Sequence, residues 1–161
     1  MTADYALAET LVNLCRGKNL ELSCAESCTG GLLAACITAV PGASAVFPGS
    51  VVSYANEVKI KLLKISPDTL EEKGAVSALC AEQMARGIAG LMGTELAISI
   101  TGIAGPDGGT QQKPVGTVYF GFFDNGESWT ESMHFTGNRE RIRRQSVEFA
   151  LQMMINHCMK P

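Results

Sequence analysis

The segment from Ala25 to Gly31, with the sequence Ala-Glu-Ser-Cys-Thr-Gly-Gly, has the residue types of a reaction site. It follows an apolar stretch typical of a strand and leads into an alanine-rich stretch typical of a helix. The free N–H groups and positive dipole end of a helix N-terminus suit an anion or a developing oxyanion. Ser27 is the candidate nucleophile. The alternative is an ordinary helix cap, made by Ser27 or Thr29, with Gly30 and Gly31 turning the chain.

A lysine is the candidate general base, because the two histidines are poorly placed for a catalytic triad. His134 falls in a predicted strand and His157 near the end of the last predicted helix. Lys59 falls in the first turn of a helix that Asn56 is predicted to cap, where the helix dipole opposes an ammonium. Partial burial would also lower the pKa of Lys59. The alternative is a solvated side chain like that of Lys61.

A glycine-rich loop follows Thr101, which ends a predicted strand. Residues 102–116 contain five glycines and two prolines in fifteen positions, too many for a regular element. Such glycines allow a backbone to approach a ligand closely. The loop matches neither the phosphate-loop motif nor the dinucleotide-binding motif, so no motif indicates nucleotide binding. A purely structural Ω-loop is the alternative.

Four arginines crowd the first two turns of the last predicted helix, which Asn138 is predicted to cap. They are Arg139, Arg141, Arg143 and Arg144. Cations are unfavourable at a helix N-terminus, so we expect at least one of them to bind an anion such as a phosphate. The alternative is a surface cluster balanced by Glu140 and Glu148.

The elements that must position these residues alternate between strands and helices. Helices are predicted at 4–15, 32–40, 57–64, 77–92 and 138–158, with a short helical turn opened by Pro67 and a cap at Ser77. Strands are predicted at 20–25, 51–55 and 96–100, followed by a hairpin of 117–123 and 129–135 around Asp124-Asn125-Gly126. This order predicts an α/β fold with a mixed sheet covered on both faces by helices. Three strand ends would then face one cleft.

Composition excludes several classes of protein. With 161 residues, 46% of them hydrophobic, we expect one domain over residues 1–161. The net charge of -3 gives no basic field for nucleic acid or anionic membrane, so neither is expected as a partner. The first residues lack the pattern of a signal peptide, and no stretch is apolar enough to span a bilayer. We therefore expect a cytoplasmic protein.

The cysteines are expected to be reduced core thiols. They are Cys15, Cys24, Cys28, Cys36, Cys80 and Cys158. Most lie in apolar segments, and the spacing of Cys24 and Cys28 fits neither a redox pair nor a zinc site. With only two histidines in addition, no metal site is expected. Cys28 is interpreted as a small packed side chain rather than a reactive thiol.

Seven blocks in order resemble the C-terminal domain of the competence-damage protein (CinA) family in its stand-alone form. They are AESCTGG, PGAS, GSVVSYANEVK, GAVS, SITGIAGPDGG, KPVGTVYFGF and GNRERIRRQ, between about Cys24 and Gln145. The resemblance implies a three-layer α/β/α sandwich with a mixed, mostly parallel sheet of about five strands. It also implies a nicotinamide-nucleotide amidase, which converts nicotinamide mononucleotide to nicotinic acid mononucleotide and ammonia in NAD salvage without metal or cofactor.

The resemblance also implies roles for individual residues. The family's nucleophile falls on Ser27 and its general base on Lys59, while Tyr54 and Thr101 match positions that would polarise the amide or hold the lysine. The implied substrate-binding residues are Thr29, Gly30 and Gly31, Gly42 and Ser44, Gly102, Ala104 and Gly105, and Arg139 as the phosphate ligand. Family members often have NEAK where this chain has NEVK, which adds bulk without changing the proposed chemistry.

Two other functions remain open at this point. One is a non-catalytic nucleotide-binding or regulatory module, and the other is a thiol enzyme that uses Cys28. The sequence also leaves open assembly into a homo-oligomer. The larger domain that precedes this one in full-length family members has no counterpart in the sequence, so its activity, including ADP-ribose cleavage, is not transferred.

Overall fold

The computed structural model describes residues 2–161, and the elements below are those of this range. The helices are α1 (Ala3–Lys18), α2 (Leu32–Thr38), α3 (Asn56–Leu63), α4 (Pro67–Glu72), α5 (Ala78–Met92) and α6 (Arg139–Cys158). The strands are β1 (Leu22–Glu26), β2 (Ser50–Val52), β3 (Leu96–Gly102), β4 (Thr117–Asp124) and β5 (Glu127–His134). A short 3-10 helix spans Ala43–Ala45.

The five strands form one mixed sheet in the order β2-β1-β3-β4-β5. Strand β1 pairs in parallel with β2 and with β3, and the register places Glu26 beside both Val52 and Ile100. Strand β4 runs antiparallel to β3 and to β5. The parallel strands β1, β2 and β3 therefore end at the same edge of the sheet, which is where ligands bind in open α/β sheets.

Helices cover both faces of the sheet, which confirms the predicted α/β/α sandwich. Helices α1, α2 and α6 pack on one face, where Ile98 and Phe120 are fully buried. Helices α3 and α5 pack on the other face, against Ala25 and Ala97. Alternate residues of β1 and β3 thus belong to opposite faces, as the period of two in a strand requires. Strand β1 is buried throughout and β3 is buried except at Gly102, which agrees with their mainly apolar sequences.

Two glycines allow α5 to lie close to its neighbours. A Cβ atom at Gly121 of β4 would collide with the carbonyl of Ala81 on α5. A Cβ atom at Gly87 of α5 would collide with the carbonyl of Leu63, at the end of α3. These close contacts place α5 directly against β4 and against the end of α3.

The helix caps agree with the sequence prediction at two sites and differ at two others. Ser77 and Asn138 accept hydrogen bonds from the third residue after them, as N-caps do. Helix α3, in contrast, begins at Asn56 itself and has no side-chain cap. Neither Ser27 nor Thr29 caps α2, whose N-cap position is held by Gly31 with φ 103°. A strand residue supplies that cap instead, as described below.

Three further observations on residues 2–161 concern membrane-spanning helices, cysteines and metal-binding groups. None of the helices in residues 2–161 is both long and apolar enough to cross a membrane. All six cysteines are free thiols. Within the same range, no group of three or more His, Cys, Asp or Glu side chains is arranged to hold a metal ion.

Candidate active site

Ser27 follows directly on β1 and begins a tight turn. Its N–H donates to the carbonyl of Ile100 at 2.9 Å, which extends the pairing of β1 and β3 by one residue. Its carbonyl accepts from the N–H of Gly30 at 3.1 Å, and both Gly30 and Gly31 have positive φ. Glycine adopts this conformation without steric cost, so the chain can reverse within three residues of the serine. The side chain of Ser27 is buried at the floor of a cleft.

The carboxylate of Glu26 caps α2 from inside the protein. Its Oε1 accepts from Thr29 Oγ1 at 2.6 Å and from the N–H of Leu33 at 2.9 Å, while Oε2 accepts from the N–H of Ala34 at 3.0 Å. Glu26 is fully buried, and these bonds satisfy helix donors that would otherwise be unpaired. The helix donors expected to meet a substrate anion are therefore occupied by the chain's own carboxylate.

Lys59 brings its ammonium to Ser27 from α3. Its Nζ lies 3.1 Å from Ser27 Oγ, 2.6 Å from the carbonyl of Ser53 and 3.2 Å from the carbonyl of Tyr54. An ammonium has three protons, and these three acceptors satisfy all of them. A neutral amine keeps two protons for the two carbonyls, which leaves its lone pair directed at Ser27 Oγ. The geometry therefore suits a lysine that removes a proton from the serine.

Burial makes the neutral form of Lys59 accessible. The side chain is 1% exposed, and this desolvation lowers the pKa of Lys59 from its ordinary value. The nearby thiols do not act as counter-ions, because burial raises the pKa of Cys80 to about 11 and that of Cys28 to about 12. Neither ion pair formed by residues 2–161 includes Lys59. Both the low exposure and the missing counter-ion favour a base over an ammonium.

A cleft of about 250 Å³ lies in front of the serine. Its lining residues come from the ends of β1, β2 and β3 and from the start of α6, namely Ser27, Cys28, Tyr54, Gly102, Ile103, Ala104, Gly105, Asp107, Gly108 and Arg139. The sequence predicted this meeting of three strand ends. Gly102, Ala104 and Gly105 lie in the cleft, where the loop offers mainly backbone to a ligand.

Tyr54 and Arg139 meet at the mouth of the cleft. Nη2 of Arg139 donates to the Tyr54 hydroxyl at 3.3 Å, and Nη1 donates to the carbonyl of Gly105 at 2.7 Å. The Tyr54 side chain is 62% exposed, so its ring is accessible to a ligand. Of Tyr54, the backbone carbonyl rather than the hydroxyl contacts Lys59. Arg139 thus joins the glycine-rich loop to the segment that holds the lysine.

Thr101 lies beside Ser27, but its hydroxyl proton is used elsewhere. The register pairs Glu26 with Ile100, so the next residues along the two parallel strands are Ser27 and Thr101. Thr101 is 1% exposed, and its Oγ1 donates to the carbonyl of Ala75 at 2.8 Å. This bond fixes the Gly74–Ser77 connection against β3. The Thr101 hydroxyl can therefore still accept a hydrogen bond but has no second proton to donate.

Several predicted binding residues lie outside the cleft. The carbonyl of Gly42 accepts from Arg16 Nη2 at 2.9 Å, and Ser44 lies in the 3-10 helix next to the start of β1. Since β1 has five residues, Gly42 and Ser44 are separated from Ser27 by roughly 15 Å of strand. The structure does not bring these two residues to the cleft within one chain. Thr29 is fully buried with its hydroxyl on Glu26, and Gly30 and Gly31 belong to the turn without lining the cleft.

Two charged residues of this region were not singled out by the sequence prediction, which named Arg143 only as one of four clustered arginines. Arg143 donates from Nε to the carbonyl of Cys28 at 3.1 Å and from Nη2 to the carbonyl of Thr29 at 2.9 Å. Asp107 lines the cleft from the glycine-rich loop. The signal for Arg143 was its spacing of four residues from Arg139, which places both on one side of α6. Nothing in the sequence distinguished Asp107 from other loop residues.

A larger groove on the other side of α3 contains no comparable chemistry. It measures about 460 Å³ and lies between α3 and α5, with Leu62, Gly87 and Leu91 among its lining residues. It contains neither a nucleophile nor a buried base, so we place the candidate active site at the smaller cleft.

These features define a three-layer α/β domain with a buried serine–lysine pair at the carboxyl ends of parallel strands. The chain belongs to the CinA family, because the model of the CinA C-terminal domain matches residues 4–158. It is 51% identical over 151 residues to a CinA-like protein of Dictyoglomus turgidum, covering 94% of this chain and 37% of that protein. A CinA-like protein of Kosmotoga olearia is 47% identical over the same length, with 94% and 37% covered. The chain thus spans about a third of the length of the curated relatives it matches.

Solved structures of similar proteins have the same fold over their whole length. A CinA superfamily protein from Klebsiella pneumoniae superposes with a TM-score of 0.94 at 35% identity, covering 98% of each chain. A competence/damage inducible protein from Agrobacterium tumefaciens gives a TM-score of 0.93 at 37% identity, covering 97% of this chain and 96% of that one. The family and the fold are therefore established together.

Proposed function

We propose that this protein hydrolyses the carboxamide of nicotinamide mononucleotide to nicotinic acid mononucleotide and ammonia by a serine–lysine mechanism. The observation that carries the proposal is the contact of 3.1 Å between Nζ of the buried Lys59 and Ser27 Oγ at the floor of a cleft. The resemblance of the motif blocks to stand-alone CinA amidases supports the choice of substrate. The reaction as proposed requires no metal and no cofactor.

The first half of the reaction forms an ester on Ser27. Neutral Lys59 takes the proton of the Ser27 hydroxyl while Oγ attacks the carboxamide carbon, which gives a tetrahedral oxyanion. Lys59 then passes that proton to the amide nitrogen, and the C–N bond breaks to release ammonia. The Ser53 and Tyr54 carbonyls keep their bonds to Nζ throughout, so the lysine moves the proton without losing its position.

Backbone N–H groups beside the serine would stabilise the oxyanion. Gly30 N–H is bonded to the Ser27 carbonyl, and the N–H groups of Leu33 and Ala34 are bonded to Glu26. The N–H groups of Cys28, Thr29 and Gly31, in contrast, donate to no acceptor among residues 2–161 of the structure. We assign the oxyanion to those of Cys28 and Thr29, which follow Ser27 directly in the chain, in place of the α2 donors that Glu26 occupies.

The second half of the reaction hydrolyses the ester. Lys59 is neutral again, because the departing ammonia has taken the proton. Lys59 then takes a proton from a water molecule that attacks the acyl carbon. Collapse of the second tetrahedral intermediate breaks the bond to Oγ, and Lys59 returns the proton to Ser27. The balance is one amide and one water consumed, with one acid and one ammonia formed.

The rest of the cleft suits a phosphorylated pyridinium nucleoside. The exposed Tyr54 ring can stack on the positively charged pyridinium, and Arg139 offers a cation to the phosphate. The glycine-rich backbone at 102–105 leaves room for the ribose. A phosphorylated substrate of this kind is retained inside cells, which agrees with the cytoplasmic location expected from the sequence.

The test is to incubate purified protein with nicotinamide mononucleotide without added metal and to measure ammonia and nicotinic acid mononucleotide. We expect the wild type to form both products stoichiometrically, and we expect Ser27→Ala and Lys59→Met to form neither product. Lys61→Met is the matched control, because Lys61 lies on the same helix and is exposed.

The two alternative functions give different results in the same assay. A nucleotide-binding module would bind nicotinamide mononucleotide without turnover. A thiol enzyme would lose activity in Cys28→Ala and keep it in Ser27→Ala. The pKa of about 12 that burial gives Cys28 opposes the thiol enzyme, because the thiolate is the nucleophilic form.

A further inference from the structure

Arg143 holds the turn that follows the nucleophile. Its guanidinium donates from Nε to the carbonyl of Cys28 at 3.1 Å and from Nη2 to the carbonyl of Thr29 at 2.9 Å. The side chain is half-buried on α6, and it crosses to residues more than a hundred positions earlier in the chain. A planar guanidinium with two fixed donors restrains two carbonyls at once, which a single hydrogen bond does not.

The two restrained carbonyls determine where neighbouring N–H groups point. In a trans peptide the C=O and N–H bonds are coplanar and opposed. The carbonyl of Cys28 belongs to the same peptide as the N–H of Thr29. Because this carbonyl points to Arg143, the Thr29 N–H points in the opposite direction, away from Arg143. The carbonyl of Thr29 shares its peptide with the N–H of Gly30, which donates to Ser27 and closes the turn.

We propose that Arg143 is a positioning residue for the nucleophile turn: its guanidinium fixes the two peptides after Cys28 and Thr29, and thereby holds Ser27 Oγ and the Thr29 N–H in reactive alignment. The inference rests on the proposed function in its use of Ser27 as nucleophile. It assigns Arg143 no contact with substrate. Arg139, four residues earlier on the same helix, lines the cleft and Arg143 does not.

The opposite charge on the other side of the turn makes the restraint two-sided. Glu26 accepts from Thr29 Oγ1, and Arg143 donates to the Thr29 carbonyl, so one residue is held through side chain and backbone by groups of opposite sign. Charge-assisted hydrogen bonds of this type are stronger than neutral ones. Removing Arg143 leaves the Thr29–Gly30 peptide bonded to Ser27 and Leu32, but it removes the one hydrogen bond that the Cys28 carbonyl accepts within residues 2–161 and so frees the Cys28–Thr29 peptide, which carries the Thr29 N–H.

The test measures the reactivity of Ser27 directly with a fluorophosphonate probe, independent of any amide substrate. In this reaction Ser27 Oγ displaces fluoride from phosphorus and Lys59 takes the hydroxyl proton, which leaves a phosphonyl ester on the serine. We compare wild type, Arg143→Ala, Arg143→Lys and the exposed neighbour variant Arg144→Ala. Circular dichroism gives the folded fraction by which each labelling rate is divided.

We expect Arg143→Ala to label about 100-fold more slowly, the size of effect that a 1 Å misplacement causes, and Arg144→Ala to label at the wild-type rate. Added methylguanidinium should restore much of the rate in Arg143→Ala. With nicotinamide mononucleotide, kcat should fall while KM stays within about threefold, because the misplaced groups act on the transition state. Arg143→Lys should also be slow, since a lysine does not present the two-donor fork.

Three outcomes would overturn the inference. These are wild-type labelling in folded Arg143→Ala, a fall that methylguanidinium does not restore, and a rise in KM at constant kcat. If Arg143→Ala does not fold, Arg143→Lys decides by its labelling rate, with an unchanged rate counting against the inference. Failure of the proposed function is distinct: wild-type Ser27 would then label but nicotinamide mononucleotide would not be hydrolysed. A wild type in which Ser27 does not label at all would overturn both.

Discussion

The ends of β1 and β3 lie side by side in the sheet, yet the chain stabilises them in different ways. The turn after β1 is held by buried or half-buried charged groups, Glu26 on one side and Arg143 on the other. The loop after β3 is held at its surface, where Arg139 donates to the carbonyl of Gly105. Near its far end, Nζ of Lys113 donates to the carbonyls of Lys73 and Val76.

The difference matches the tasks proposed for the two regions. Bond making at Ser27 needs fixed geometry and a dry environment, and Lys59 and Glu26 are almost wholly buried there. Binding a nucleotide needs backbone and charges that a ligand can reach, and residues 106–110 of the loop are exposed. Changes at the β1 end should therefore act on kcat and stability, while changes at the β3 end should act on KM.

The largest expected effect is at the serine–lysine pair. Ser27→Ala and Lys59→Met should each lower kcat for nicotinamide mononucleotide by about 10⁴-fold, and the double variant by little more, because members of one catalytic unit are not additive. Steady-state kinetics of the four proteins of this cycle measure the coupling. Losses that multiply in the double variant would mean that the two residues act independently.

The next effect is a pH dependence set by Lys59. The neutral form of Lys59 is the base, and burial lowers the pKa of Lys59 below the ordinary lysine value of 10.5. Log kcat/KM should therefore rise with pH and reach its plateau at a pH below 10.5. Below the plateau the slope should approach about tenfold per pH unit. The wild type and Lys61→Met should give the same profile. A rise that continues to the ordinary pKa of lysine would show that Lys59 titrates as a solvated amine.

At Glu26 we expect a loss of stability larger than any at the β3 loop. Glu26→Gln keeps the size of the side chain but loses the charge and places an NH₂ group where two oxygens accept three hydrogen bonds. We expect the free energy of unfolding to fall by about 1–3 kcal/mol, as for the loss of hydrogen bonds to a charged group. Urea denaturation measures it, and Glu21→Gln, on an exposed residue before β1, is the control. Equal stability of both variants would contradict the role of Glu26 as the cap.

The sequence predicted the regular elements better than the contacts between them. Local signals placed the caps at Ser77 and Asn138 and the hairpin turn at Asn125 and Gly126, both of which have positive φ. Local signals failed at α2, because its cap is Glu26, which ends β1 seven residues before the helix donor Leu33 and which the sequence placed only in the turn after the strand. Such a cap depends on how the strand and helix meet, which no short window contains.

The candidate site shows the same difference between what the sequence predicted and what depends on contacts between elements. Strand-end topology brings Ser27, Lys59 and the loop after β3 together, as the order of elements predicted. Topology was also the reason that Gly42 and Ser44 lie elsewhere, since the connection before β2 packs at the start of β1. The arginines of α6 were equivalent in sequence, and only their tertiary contacts separate Arg139 from Arg143.

The smallest predicted effect is at the β3 end, where Arg139 is the proposed phosphate ligand. Arg139→Ala should raise KM for nicotinamide mononucleotide about tenfold, equivalent to about 1.4 kcal/mol, with kcat within about twofold of the wild type. Nicotinamide riboside lacks the phosphate, so the same variant should leave its kcat/KM unchanged, and Arg141→Ala should affect neither substrate because Arg141 is exposed beyond the cleft. If Arg139→Ala weakens both substrates equally, Arg139 acts by holding Tyr54 and Gly105 rather than by binding phosphate. In that case the ends of β1 and β3 would be alike, because an arginine that donates to backbone carbonyls would stabilise each of them.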